Sequence, residues 1–570
     1  MSSNKDSARF LAMTLCLLAF LLTACDLQNP FQPVQQVKAP KEKQVYTIPE
    51  TSVTDFETLD PALARDTPSM NAIQMIFTGL VQYNNKLEIA PQLAQSWHQE
   101  ADGVTWTFHL KPNLTFNDGS PLTSSDIAYS IDRALQPTTQ STTAPLYLSL
   151  IKDADQLLAG RIPTLLGRSL QTPDPTTLVI VTKKNAAYFL AMLTSPCSYV
   201  VEKSLISKYG AKFTDHLTEG GGAGPFKVAQ YVHGQVIRFV PNTHYYNKQP
   251  QLQNVKMVFF HSPDEAYNAY LSHQVDMTEV PLSTLANARQ GQDFHQVPQL
   301  WINYYSMNYL VKPFDNVKIR QAFALAINKT DIAKNVWQDT VIPTNHIVPQ
   351  GMPGYNANLK GPDGTTNLTG NVQRAQELLQ QGMREEGWNS TTQMPKITLT
   401  YAKGLSSFDQ EVQSLIQTWH KVLNVAIVSN PVDYNTLLDK VTGATLNTQG
   451  LQFWGLSWVG EYPDPQDWLS LQFARGVPNN NMNYGQNTST TLAQQQAVQQ
   501  ALVSADANPD AAARLKSYQQ AEQQLVNDVA WLPMEQVTAT FLRTPSIVGI
   551  VDNGQGIIPP DDWANIYRVQ

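Results

Sequence analysis

Glu461 has the strongest claim to chemistry in this chain, because of what surrounds it. The run Trp454-Gly455-Leu456-Ser457-Trp458-Val459-Gly460-Glu461-Tyr462-Pro463-Asp464-Pro465-Gln466-Asp467-Trp468 gathers Trp454, Trp458, Tyr462 and Trp468 in a chain that is only 9% aromatic. A carboxylate beside aromatic walls suits a pocket for a cationic, partly apolar ligand. The same residues also suit a core of buried tryptophans with Glu461 as a turn residue in water.

Other chemistries lack their residues. No His-Glu-x-x-His pair occurs, and the 10 histidines are scattered. No Gly-x-Ser-x-Gly elbow occurs either, since Ser457 follows Leu456. Asp464 and Asp467 lie in a turn, and a glycosidase pair is defined by a separation that sequence does not give. Gly220-Gly221-Gly222-Ala223-Gly224-Pro225 has no Lys-Ser or Lys-Thr after it and leads into the strand pattern Phe226-Lys227-Val228. Without a helix N-terminus it is no phosphate cradle, and it reads as a tight loop or hinge. No catalytic residue, metal site or cofactor is expected. A net charge of −8 with no basic, aromatic-interleaved patch argues against nucleic acid as a partner.

The N-terminus carries an address. Lys5 and Arg9 precede an apolar run from Phe10 to Leu22, shorter than the ~20 residues of a membrane span. Leu22-Thr23-Ala24-Cys25 then closes a secretory signal peptide over residues 1–24. This ending resembles the lipobox of bacterial lipoproteins, which implies cleavage after Ala24 and a lipid thioether on Cys25. Cys16 leaves with the leader, so Cys197 has no partner for a disulfide and reads as a small buried residue. Residues 25–44 are rich in Gln and Pro, lack periodicity and read as a flexible tether.

The body that positions Glu461 must hold more than one lobe, since 570 residues exceed a single core. Pro463 and Pro465 end the strand near Val459 and impose a rigid turn. Order begins near Val45, and periodicity predicts helices over Ser69–Leu80, Tyr188–Leu193, Glu265–Leu271, Val317–Asn328, Val372–Gly382, Gln410–Leu423 and Ala511–Asn527. Strand patterns occur at Trp106–Leu110, Leu178–Val181, Val255–Phe260, Ile397–Tyr401 and around Ile427. Strands alternate with helices, so the class is α/β with βαβ units.

Several colinear stretches together resemble the family 5 extracellular solute-binding proteins of ABC importers, and within them the oligopeptide binders. They are Leu59-Asp60-Pro61, Ile76-Phe77-Thr78-Gly79-Leu80, Pro91-Gln92-Leu93-Ala94-Gln95-Ser96-Trp97, Asp102 to Leu110, Asp118 to Thr123, Gly224-Pro225-Phe226, Pro313-Phe314-Asp315 with Arg320-Gln321-Ala322, and Tyr462-Pro463-Asp464-Pro465. The resemblance implies a two-lobed, periplasmic-binding-protein-like α/β fold with an extra subdomain and a ligand cleft between lobes. Lobe I would comprise 45–84, 205–300 and 534–570, its subdomain 85–204, and lobe II 301–533. The implied role is an extracytoplasmic, lipid-anchored, monomeric receptor that binds peptides and hands them to permease subunits. A sugar, nickel complex or haem as cargo, or a cell-surface hydrolase, are the alternatives. The family's ammonium-binding acid falls at Glu461, and its aromatic partner at Trp458, with Tyr462, Trp454, Tyr304 and Tyr305 as further binding residues. Gly455 and Ser306 stand where some oligopeptide binders carry a basic and an acidic residue, so a peptide carboxylate lacks its usual partner.

Overall fold

The computed structural model describes residues 37–51, 53–404 and 406–570. The expected signal peptide, Cys25 and the start of the tether lie outside the described residues. Residues 37–39 and 569–570 belong to a small unit of their own, joined by an antiparallel bridge between Lys38 and Val569. The remaining fold is built from residues 40–568.

The first layer begins with β1 (Val45–Glu50), at the position expected for the onset of order. It pairs in parallel with Asn254–Phe259, which continues antiparallel to Val236–Pro241 and Phe226–Val232. Helix α1 (Thr67–Ile76) is capped by Asp66, whose carboxylate accepts from Ser69 N at 2.9 Å. The predicted helix ran to Leu80, but Phe77 turns extended and Val81–Tyr83 forms a short strand. The glycine loop explains that stop. A Cβ on Gly222 or Gly224 would lie 2.1 or 2.4 Å from a backbone oxygen at the end of α1, and Gly224 N donates to Ile76 O at 2.7 Å. Glycine is needed there for close approach, so the loop is a packed contact, not a free hinge. A second four-stranded antiparallel sheet holds Thr105–Leu110 and Thr177–Val181.

The larger layer is a seven-stranded mixed sheet. Its members in chain order include β2 (Met277–Glu279), β3 (Phe294–Met307) and β4 (Ile397–Ala402). Then come α2 (Ser406–Leu423), β5 (Ile427–Val432), α3 (Tyr434–Thr442), β6 (Phe453–Val459) and β7 (Leu532–Arg543). Spatially the strands run β2-β7-β3-β6-β4-β5, with Val341–Pro343 also against β7. β4-α2-β5 is a parallel βαβ unit, and α3 carries the chain back to β6 on the other side of β4. α2 buries Phe408, Val412, Leu415 and Trp419 on one stripe, as its periodicity predicts. The expected helix Val317–Asn328 ends at Leu325, and a separate helix, Lys329–Asn335, follows it, capped by Asn328. Cys197 is buried, and burial pushes its thiol up to about 12, which removes the thiolate needed for reactivity.

Candidate ligand-binding site

β6 ends at Val459, as the prolines require, and Glu461 stands at the start of the turn. Three hydrogen bonds fix that place. Gly460 N donates to Leu300 O at 2.9 Å, tying the strand end to β3. Glu461 N donates to Asp467 Oδ2 at 3.0 Å, and Trp458 Nε1 reaches the same oxygen at 3.2 Å. Asp467 is fully buried, and desolvation raises its pKa well above the ordinary carboxylate range. Further on, Asp464 caps the short helix Pro465–Trp468 and takes two bonds from Arg514, at 2.8 and 2.5 Å. Tyr462 donates to Gln466. The turn is therefore locked from beneath, and only Glu461 is left on the surface side.

Glu461 lines a cavity of about 690 Å³. One wall comes from α1, through Thr67, Met70, Asn71 and Gln74. The facing wall comes from the middle of β3, the end of β6 and Val537–Ala539 of β7. β3 loses register against β7 between Pro298 and Ile302, and Gln299, Leu300 and Trp301 of that irregular stretch line the cavity. Broken ladders of this kind re-aim side chains at sheet rims. A second cavity of about 440 Å³ adjoins the first, sharing Glu279, Gln299, Thr538, Ala539 and Ile557 with it.

Tyr147 is the residue that sequence reasoning missed. Its hydroxyl donates to Glu461 Oε2 at 2.6 Å, across 314 residues of chain. Burial first, and then the Glu461 charge, push the phenol's pKa up, so it stays a donor to that carboxylate. Nothing in the local pattern around Tyr147 announces this contact.

The other expected site residues are placed differently. Tyr305 is fully buried, donates to Glu411 Oε1 at 2.8 Å and packs against Phe408 and Trp419. Tyr304 stacks on Trp531 with ring centroids 3.6 Å apart. Adjacent strand residues point to opposite faces, and both faces are covered here, so neither tyrosine reaches the cavity. Trp454 is 1% exposed and also belongs to the core. Trp458 is half-buried and braces Asp467, while Tyr462 is buried beneath the turn with its ring 6.5 Å from that of Tyr147. The two departures of sequence follow the same logic. A Cβ on Gly455 would meet Phe408 and Tyr305 at 2.9 Å, so a side chain there would enter packed rings. Ser306 is fully buried as well.

A helix wall facing a sheet wall across a cavity lined by two carboxylates, Glu461 and Glu279, fits a binding protein of the two-lobed, periplasmic-binding class. The chain belongs to the bacterial extracellular solute-binding proteins, family 5, whose middle region matches residues 88–480. It is 25% identical over 556 residues to the oligopeptide-binding protein OppA of Bacillus subtilis, covering 96% of this chain and 98% of that protein. It is 27% identical to the periplasmic murein peptide-binding protein MppA of Escherichia coli, covering 97% of each. The fold superposes on the unliganded open form of the murein tripeptide-binding protein MppA with a TM-score of 0.80, at 24% identity, covering 94% of this chain and 99% of that one. These relatives are binding proteins, not enzymes. Among the described residues no helix is long and apolar enough to cross a membrane.

Proposed function

We propose that this chain is the extracytoplasmic solute-binding component of an ABC importer, and that it captures peptides in the cavity between α1 and the seven-stranded sheet. The observation that carries the reading is the placement of Glu461, held by Tyr147 at the edge of a 690 Å³ cavity. A peptide's α-ammonium entering a closed cleft loses its water, which is costly unless an anion replaces it. Glu461 is that anion. Relatives named for oligopeptides and murein peptide match the chain along nearly its whole length. The lobe division given by the family resemblance then describes two bodies that close over the ligand. Leu22-Thr23-Ala24-Cys25 supports a lipid anchor on Cys25 and a monomer tethered beside its permease.

Calorimetry with short peptides tests the site. Free-amine peptides should bind, and N-acetylation should weaken them. Glu461→Gln should cost ~2–5 kcal/mol of binding, because it leaves an ammonium without its anion, or roughly 30- to 3,000-fold in affinity. Acetylation and Glu461→Gln together should be far from additive, since they delete one interaction. Equal binding of free and acetylated peptides would remove Glu461 from the site, and no binding of any peptide would end the peptide reading.

A further inference from the structure

The second cavity is walled by residues that the first does not touch. It holds about 440 Å³, whereas one trapped water needs only ~10–15 Å³. Val280, Val297, Phe541, Ile550, Val551 and Ile558 line it and are absent from the first cavity. They come from the residue after β2, from β3 and β7, and from the 550–558 loop. Val551 is 51% exposed, so a large apolar side chain of this wall stands in water. Exposed apolar surface inside a cleft marks a place for a ligand to cover.

The polar groups of the wall are already occupied. Arg543 donates to Asp552 at 2.7 and 2.9 Å, so these two charges match each other. The Tyr46 hydroxyl donates to Met277 Sδ at 3.1 Å. Glu279 lines both cavities and so marks their boundary, and it is exposed, which keeps its carboxylate hydrated. Such a wall favours an apolar side chain, whose burial releases water, over a charged one, whose burial costs its hydration.

Continuity says where that side chain comes from. The cavities share Gln299 of β3 and Thr538 and Ala539 of β7, so one extended ligand runs through both. Strand spacing gives the distance. Glu461 follows Gly460, whose N donates to Leu300 O. Val297 of the second cavity lies three residues back along β3, about 10 Å at the ~3.3 Å rise of a strand. An extended peptide advances at the same rise, so it covers that distance in about three residues.

Resting on the peptide reading above, we propose that the second cavity is a side-chain subsite, and that the preferred peptides carry a large apolar residue, phenylalanine or leucine, at the third or fourth position from an N-terminus held by Glu461. The ammonium then fixes one end of the ligand, and the apolar side chain fixes its register along β3 and β7.

Calorimetry with free-amine penta-alanine peptides, in which phenylalanine is moved through positions two to five, provides the test. Phenylalanine at position three or four should bind about tenfold tighter than the all-alanine parent, the gain expected for burying a large apolar side chain. The same peptide should show a more negative heat-capacity change than the parent, which is the mark of apolar burial. Val297→Phe fills the second cavity and should bring the ratio close to one, while the parent peptide, which needs only the first cavity, should keep its affinity within about twofold. Val551→Asn makes an exposed part of the wall polar and should shrink the ratio. Thermal unfolding of both variants checks that each is folded. Three outcomes overturn the proposal: no gain from phenylalanine at position three or four, a gain that survives both substitutions, or tighter binding of peptides with lysine or glutamate at those positions. If no peptide binds at all, the peptide reading fails and the subsite falls with it. Binding of the parent without a phenylalanine gain leaves the peptide reading standing and removes only the subsite.

Discussion

β3 and β6 run antiparallel from Trp301 opposite Val459 to Met307 opposite Phe453, and the two ends of this one ladder do different work. Toward Tyr304, Tyr305 and Trp454 both faces are covered, by α2 on one side and by Trp531 and its neighbours on the other. Toward Trp301, Val459 and Glu461 the ladder runs out and the cavity begins. The same aromatic-rich strands thus supply stability in the middle and, on the proposed reading, recognition at the end. Residue type does not separate the two roles. Position along the ladder does.

Trp454→Ala should break the middle without touching the end. It removes a fully buried indole and leaves a cavity, which typically costs about 3–5 kcal/mol. Urea unfolding should show that loss, while peptide affinity measured well below the transition should stay within about twofold. A large loss of affinity in a still-folded variant would put Trp454 in the binding site after all.

The buried carboxyls sharpen the contrast. Asn303 Nδ2 donates to Glu535 Oε1 at 3.0 Å, and Tyr305 and Trp337 donate to Glu411 at 2.8 and 2.5 Å. Both acids are buried and hydrogen-bonded to each other. Desolvation raises the pKa of each, and the Glu411 charge raises that of Glu535 further. Below the ordinary carboxylate range both the folded and unfolded chains hold these protons, so there is no effect. Above it the unfolded chain ionises while the folded chain keeps the proton, so stability falls as pH rises toward the raised values. One group contributes a slope of at most about 1.4 kcal/mol per pH unit. Glu535→Gln keeps an acceptor for Asn303 and removes the titration. Denaturant midpoints across pH 4 to 8 should flatten in the variant, and an unchanged slope would show that the pair does not titrate as described.

How much of this was legible depended on range. The end of β6 at Val459 and the rigid turn follow from Pro463 and Pro465 alone, which are local facts. The helix Ala511–Asn527 and the unit β4-α2-β5 were visible because their apolar positions recur at helix and strand periods. Helix Leu492–Asp506 was not expected, because Gln495 and Gln499 occupy its buried stripe beside Val498 and Leu502. A polar residue in a core position erases the periodic signal, and here the glutamines instead bond the backbone of Gly485 and Tyr484. The direction of each aromatic in the 454–468 stretch was beyond sequence altogether. It is set by which strands flank β6, and those come from residues far away in the chain. The family pattern selected Glu461, but it could not say that Tyr304, Tyr305 and Trp454 would be used up in the core.

The smallest effect tests the finest part of the contrast, the contact at the ladder's open end. Tyr147 reaches Glu461 from a distant part of the chain, and both line that cavity. Tyr147→Phe removes one hydroxyl and nothing else. If the phenol only fills space, affinity for a free-amine peptide should not change. If it holds the carboxylate in the place where the ammonium arrives, the variant must order Glu461 at the moment of binding. Fixing a rotamer-rich side chain costs roughly 0.5–1.5 kcal/mol, about a two- to tenfold weakening. The decisive measurement is a double-mutant cycle. Once Glu461→Gln has removed the charge, Tyr147→Phe should have little left to weaken, because the hydroxyl acts only through that carboxylate. An equal effect of Tyr147→Phe in both backgrounds would mean that it contacts the ligand independently, and the Tyr147–Glu461 bond would lose its role in orienting the acid.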